Sequence, residues 1–312
     1  SRGVKLKTEA DNRMFPITDD SQSIIDCLLG EVRRHQITIK TKTPVLQLKP
    51  IDQGFELQLK SGVAHFDKVI IATGGSPKRA GFDWLGLLGH DIVAPVPSLF
   101  TFNMPGNPIR KLMGLSVPNA QVRVQGTKLI QSGPLLITHW GMSGPAILKC
   151  SAWGARTLHD LNYEFTAQVN WLPDFKENTL RDWFTENKND FGKRKIKNKN
   201  PFQLPSRLWE YLLDKIEIDG DLAWHDLGKK ALNRLINVLL NDGYEVKGKT
   251  TFKEEFVTAG GVALADIDFN TMQSRKCHGL YFAGEVMNVD GVTGGFNFQA
   301  AWSAGFVAGR LA

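Results

Sequence analysis

The closing segment, residues 279–312, reads GLYFAGEVMNVDGVTGGFNFQAAWSAGFVAGRLA. Residues 280–283 form a short apolar run that predicts a buried strand. Residues 284–295 form a loop with glycines at 284, 291, 294 and 295 and carboxylates at Glu285 and Asp290. From about residue 296 to 311 the apolar positions fall at helical spacing. A strand that runs through a glycine-rich loop into a helix presents free backbone N–H groups at the helix start. Negative or electron-rich ligand groups are stabilised there.

Upstream, Thr258-Ala259-Gly260-Gly261-Val262 follows a stretch of strand character at 250–257. Gly260 and Gly261 read either as turn residues or as a place where backbone approaches a ligand. Residues 68–72 predict a buried parallel strand, because Val69–Ala72 are continuously apolar, and it ends in Ala72-Thr73-Gly74-Gly75. Residues 45–48 and 55–59 alternate, as an antiparallel meander does, and 37–39 reads as a further short strand. Asp20 or Ser21 is placed to cap a helix through about His35, with Ile24, Ile25, Leu28, Leu29 and Val32 on one stripe. Residues 83–90 read as a helix. Pro95, Pro97, Pro105 and Pro108 then break the chain, which marks the exit from a first domain.

Residues 114–131 alternate as in a small β domain, and LLITHWGMSGPA follows at 135–146. Here Ser143 predicts a helix cap with Pro145 in the first turn. His139 is either a structural anchor or a proton donor or substrate clamp. A Ser-His-Asp hydrolase is disfavoured, because Ser143 lacks a G-x-S-x-G elbow. Residues 163–171 alternate as a strand. Residues 180–189, 206–215 and 227–240 then predict amphipathic helices, with Trp183, Trp209 and Trp224 expected in their core.

With 312 residues the chain can form two or three domains, and it has no apolar run of membrane-spanning length. Its cysteines, Cys27, Cys150 and Cys277, form no CxxC, which points to reduced thiols in a cytoplasm and to no metal site. The net charge is +6, and residues 188–199 hold six Lys or Arg against one Asp. That loop reads chiefly as a solvated surface, with a phosphate-binding patch as the alternative, so a nucleic-acid partner is not favoured.

The Arg13, Phe15 and Pro16 stretch, the ATGG at 72–75, the THWGMSGPA at 138–146, the TAGGV at 258–262 with Asp268, Thr271 and Met272, and the segment 279–305 resemble, in this order, the HI0933-like (YhiN-like) bacterial flavoprotein family. The resemblance spans nearly the whole chain. It implies an α/β fold: a Rossmann-like FAD-binding domain of the two-dinucleotide-binding-domain type, with an inserted β-barrel-like domain and a helical subdomain. The boundaries expected are 1–97 and 259–312 for the FAD-binding domain, 98–171 and the return strand 248–258 for the β domain, and 172–247 for the helices.

By the same resemblance, Val45 or Leu46 would read adenine, and Ala72, Thr73, Gly74 and Gly75 would approach the dinucleotide. Gly284 and Glu285 would meet the ribityl chain, and Gly294, Gly295, Phe296 and Asn297 the flavin's pyrimidine edge. Asp290 would orient the loop or move a proton. No G-x-G-x-x-G occurs in these residues, so the chain is expected to be a fragment that lacks the unit holding the FAD pyrophosphate. The function implied is an FAD-dependent oxidoreductase acting on a small organic molecule, with NAD(P)H an open choice of electron donor. A flavoprotein acting on RNA through 188–199 and a non-catalytic fragment are the alternatives.

Overall fold

The computed structural model describes residues 3–9, 12–250 and 257–310, and most of the strand expected at 250–257 lies outside them. The chain forms a mixed α/β structure with two main cores, one built from its two ends and one from its middle.

In the first core, Val69–Ile71 and Leu280–Phe282 pair in parallel, Val69 opposite Leu280 and Ile71 opposite Phe282. Leu280, Tyr281 and Phe282 are fully buried among Phe55 and Leu48 of the meander and Ala304 and Ala308 of the helix Phe296–Ala308. A continuous apolar run is what such a covered parallel strand requires. The meander is longer than its alternation suggested. Val45–Ile51, Gly54–Leu59 and Gly62–Phe66 pair antiparallel, and the third strand went unseen because its Val63 and Phe66 are about half exposed.

Three local expectations fail. Residues 37–39 form no strand: the Ile37 N–H donates to Val32 O, so the chain is still winding off the helix Gln22–Arg34. The helix at 83–90 is only Asp83–Gly86, ended by glycines at 86 and 89, the latter with φ +88°. The proline-broken exit is instead a strand, Ile92–Ser98, paired antiparallel with Val257–Val262. Its prolines are tolerated because this ladder has two strands and a bulge.

The second core sits on a seven-stranded antiparallel sheet. In spatial order its strands are Asp242–Lys247, Glu164–Asn170, Ser116–Val124, Ile130–Ile137, Gly141–Ser143, Thr101–Asn103 and Lys249–Thr250. The first and last belong to one run that bends at Gly248, so the two edges of the sheet meet there. Ser143 ends a strand and does not cap the next helix. The cap of Pro145–Trp153 is Gly144, at φ +90°, where a Cβ would come within 2.9 Å of Leu136 N and Pro134 O.

The helices Glu177–Phe191, Ser206–Lys215 and Lys229–Leu240 complete this core. Leu208, Trp209, Leu212 and Leu213 are buried at three-to-four spacing. Trp209 and Trp224 donate their indole N–H groups to Ile196 O and Lys199 O, so two buried rings hold the basic segment from beneath. The buried Asp242 carboxylate joins the helical layer to the sheet, accepting from Lys215, Tyr244 and Trp171 Nε1. No helix among the described residues is long and apolar enough to cross a membrane.

Candidate functional site

Ile71 and Phe282 end at the same edge of the parallel pair, and the loops that follow them lie side by side. Clefts at the carboxyl ends of parallel strands are the usual ligand sites of such sheets. The strand Val257–Val262 joins them. Val262 bridges to Met287, and the Asn288 N–H donates to Val262 O at 2.9 Å. Contact is close enough to require glycines. A Cβ on Gly261, at φ +126°, would lie 2.4 Å from Val286 O, and one on Gly75 would lie 2.8 Å from the Thr258 side chain. Gly260 sits in the bulge of the ladder, facing Pro95. Gly74, at φ +75°, has open space where a Cβ would go.

Glu285 lies in a 3-10 turn, Gly284–Val286, at the foot of this cleft, and a Cβ on Gly284 would stand 3.6 Å from Ala301 of the last helix. Both cleft carboxyls are half-buried and titrate above their ordinary values. For Glu285 the first cause is burial and the second the nearby Asp290. For Asp290 burial raises the value, against a hydrogen bond from Ser98 Oγ at 3.0 Å and the charge of Arg156. A carboxyl whose proton affinity is raised by burial is suited to hand a proton to a bound molecule.

The last helix starts at Phe296 behind Gly295, which is left-handed at φ +89°. The first intrahelical bond is Gln299 N to Gly295 O, so the N–H groups of Phe296, Asn297 and Phe298 have no intrahelical acceptor. The Asn297 amide is committed to the loop: it accepts from Gly291 N at 2.7 Å and donates to Gly291 O at 3.1 Å. It shapes the glycine loop from within. The Arg13 side chain lies beside Gly294, 3.8 Å from where a Cβ would stand.

The structure thus brings together Gly75, Gly261, Gly284, Glu285, Asp290 and, through its loop, Asn297. Ala72 and Thr73 are exposed at the mouth of the first loop. Val45 stands at the start of the meander, opposite Leu59. His139 is exposed between two strands of the seven-stranded sheet: its backbone carbonyl accepts from Arg110 Nε, and its ring packs on Trp140 at 4.6 Å. Ser98, Thr258 and Arg156 had not been singled out from the sequence. Ser98 and Arg156 come from distant segments and carry no motif, so only folding reveals them.

A Rossmann-type sheet with a strand–AGE–glycine loop–helix unit at its carboxyl edge defines the dinucleotide-cofactor class of α/β proteins. The sequence matches the family described as HI0933-like protein Rossmann domain over residues 1–311, and the chain belongs to that family. It is 31% identical over 301 residues to the ribosomal RNA dihydrouridine synthase of Escherichia coli, covering 94% of this chain and 72% of the relative. It is 27% identical over 307 residues to the 3-dehydro-bile acid delta(4,6)-reductase of Clostridium scindens, covering 96% and 75%. The ribosomal RNA dihydrouridine synthase of Haemophilus influenzae is 26% identical over 300 residues, covering 92% and 72%.

The family implies a flavin cofactor, and the cleft residues fit one. Open space faces Gly74, orphan N–H groups face out of a helix start, and Glu285 is placed to accept from hydroxyls. The buried Thr258 Oγ1, between Gly75 and the Glu285 loop, has no hydrogen-bond partner. A polar atom left unpaired in a core costs about 1–3 kcal/mol.

Proposed function

We propose that this chain is the catalytic body of an FAD-dependent reductase that saturates a carbon–carbon double bond conjugated to a carbonyl in a small organic molecule. One observation carries the reading: Glu285 and Asp290 share a half-buried cleft with the free N–H groups of a helix start, at the carboxyl edge of the parallel pair. The relatives' names support the substrate class. One is named a reductase of an unsaturated keto steroid acid and two are named for making dihydrouridine, and both names describe loss of a double bond beside a carbonyl.

Bound flavin supplies the two-electron, hydride-level chemistry. The chain's own residues do the rest. Gly74 and Gly75 allow close backbone approach, and Glu285 takes hydroxyl hydrogen bonds from the cofactor's sugar-like chain. The N–H groups at Phe296 and its neighbours stabilise negative charge by the helix dipole. Asp290, oriented by Ser98, is the group that passes a proton to the carbon that does not receive hydride. We assign residues 1–97 and 259–312 to the cofactor-binding domain, and the seven-stranded sheet with its helices to the wall over the cleft.

The test is spectroscopic. Full-length protein, carrying any segment that precedes these residues, should retain bound-flavin absorbance after gel filtration with FAD. The absorbance should bleach anaerobically with NADPH or NADH and return on addition of a steroid 4-en-3-one. Retained flavin that an enone never reoxidises would defeat the substrate assignment, and failure to retain flavin would defeat the cofactor assignment.

A second reading, action on RNA, is favoured by the names of the two dihydrouridine synthases and by exposed Lys193 and Arg194. The structure tempers it, because Lys195 and Lys197 are both paired with Asp221 at 2.7 Å.

A further inference from the structure

Two strands carry the chain between the cofactor-side core and the sheet core: Ile92–Ser98 on the way out and Val257–Val262 on the way back. Their ladder is irregular at one point. Ala259 pairs with Val96 and Gly261 with Val93, so Gly260 faces Ala94 and Pro95. Pro95 has no N–H to donate across the gap, and a bulge here leaves the ladder locally weak. A third element fills in. The short helix Ala155–Asp160 belongs to the sheet side of the molecule, and its Ala155 packs with Val96 and Ala259 in a small core of their own. The next residue, Arg156, reaches over the gap. Its Nη1 donates to Ala94 O at 3.1 Å, and its Nη2 to Ala259 O at 3.4 Å and to Asn288 Oδ1 at 3.5 Å.

We propose that Arg156 is a positioning residue: one guanidinium joins both connecting strands to the loop that carries Asp290, and so couples the placement of the sheet domain to that of the cleft carboxyl. Asn288 lies two residues before Asp290, and its N–H is already held by Val262 O. The fork therefore locks the side chain of a residue whose backbone is fixed, with Asp290 next along the loop and held from the other side by Ser98 Oγ. A planar guanidinium spans three acceptors in this way, whereas an ammonium is a point donor. Movement of the sheet domain against the cofactor side would be felt at Asp290 through Arg156, at the position where a substrate seated between them needs its proton.

Because it deepens the reductase reading, the test has two arms that fail separately. In the first, hydrogen–deuterium exchange of the segment 286–291 is measured in the flavin-free chain for the parent, Arg156→Gln and Arg156→Lys. Loss of a charge-assisted tie is expected to speed exchange there by about tenfold in the Gln variant, with the Lys variant recovering only part. Unchanged exchange in Arg156→Gln, or full recovery by Lys, would overturn the proposal. In the second arm, flavin-loaded Arg156→Lys is expected to lose kcat for enone reduction with KM nearly unchanged and the bound-flavin spectrum intact. Equal loss in KM alone would make Arg156 a substrate-binding group and refute positioning. If the parent binds no flavin, the reductase reading falls while the exchange arm still decides the role of Arg156.

Discussion

Replacing Gly261 with alanine should unlock the cleft from below. Gly261 has φ +126°, and a Cβ would stand 2.4 Å from Val286 O and 3.0 Å from Met287 C. Both contacts are with backbone, so no side chain can swing away. Holding a residue with a side chain in that backbone region costs about 1–3 kcal/mol. Forcing the 284–287 turn off the strand adds overpacking of about 1–3 kcal/mol. The sum, about 2–6 kcal/mol, rivals the total stability of a typical domain. Gly74→Ala is the matched control: at φ +75° with nothing within 4 Å, it should cost only about 1 kcal/mol, the left-handed backbone preference alone. Native-state hydrogen exchange of the peptide covering 280–288 separates the two. A Gly261→Ala protein within about 0.5 kcal/mol of the parent, the range of neutral surface changes, would refute the close-packing account. Flavin affinity should reverse the ranking among folded variants, since Gly74 is the glycine facing open space.

Three further outcomes follow from named contacts. Burial raises the proton affinity of Glu285 and Asp290 in the folded chain. Their stabilising contribution is therefore full below the ordinary carboxylate value and is lost as pH rises through the folded values. Urea midpoints should show Asp290→Asn gaining on the parent from acid to neutral pH, and a parallel pair of curves would disprove the shift. Lys215→Met removes the cation from Asp242, whose carboxyl burial already pushes upward. The loss should be about 3–5 kcal/mol by chemical denaturation. Adding Asp242→Asn should recover part of it, and no recovery would mean the charge is not the cause. Asp221 is held at about 2 by Lys195 and Lys197. If the RNA reading is right, Asp221→Asn frees both lysines and steepens the salt dependence of RNA binding, by about 0.7 per added phosphate contact. An unchanged slope in filter binding would count against that reading.

Local pattern alone identified the elements that carry a strong period or a continuous apolar run. The strand at 280–282, the helix at 206–215 and the buried tryptophans are legible because each satisfies its own burial, whereas in the parallel partner at 69–71 Ile71 is buried and Ile70 stands exposed. The family's ordered blocks were legible for the same reason, since glycines such as Gly260 and Gly261 are required where backbones touch. Positions that depend on distant partners were misread. Pro95 and Pro97 look like breakers, yet they lie in a strand because a two-stranded ladder leaves room for missing donors. Ser143 looks like a cap, but Gly144 takes the cap because only a glycine fits against Leu136. Composition cannot show that Asp221 neutralises part of the basic loop. Sequence by itself determined the family and the flavin that the family implies, both read from short-range motifs. The tertiary structure alone decided that Ser98 and Arg156 hold the loop of the cleft, because hydrogen bonds across 62 to 192 residues of chain exist only once both cores have packed.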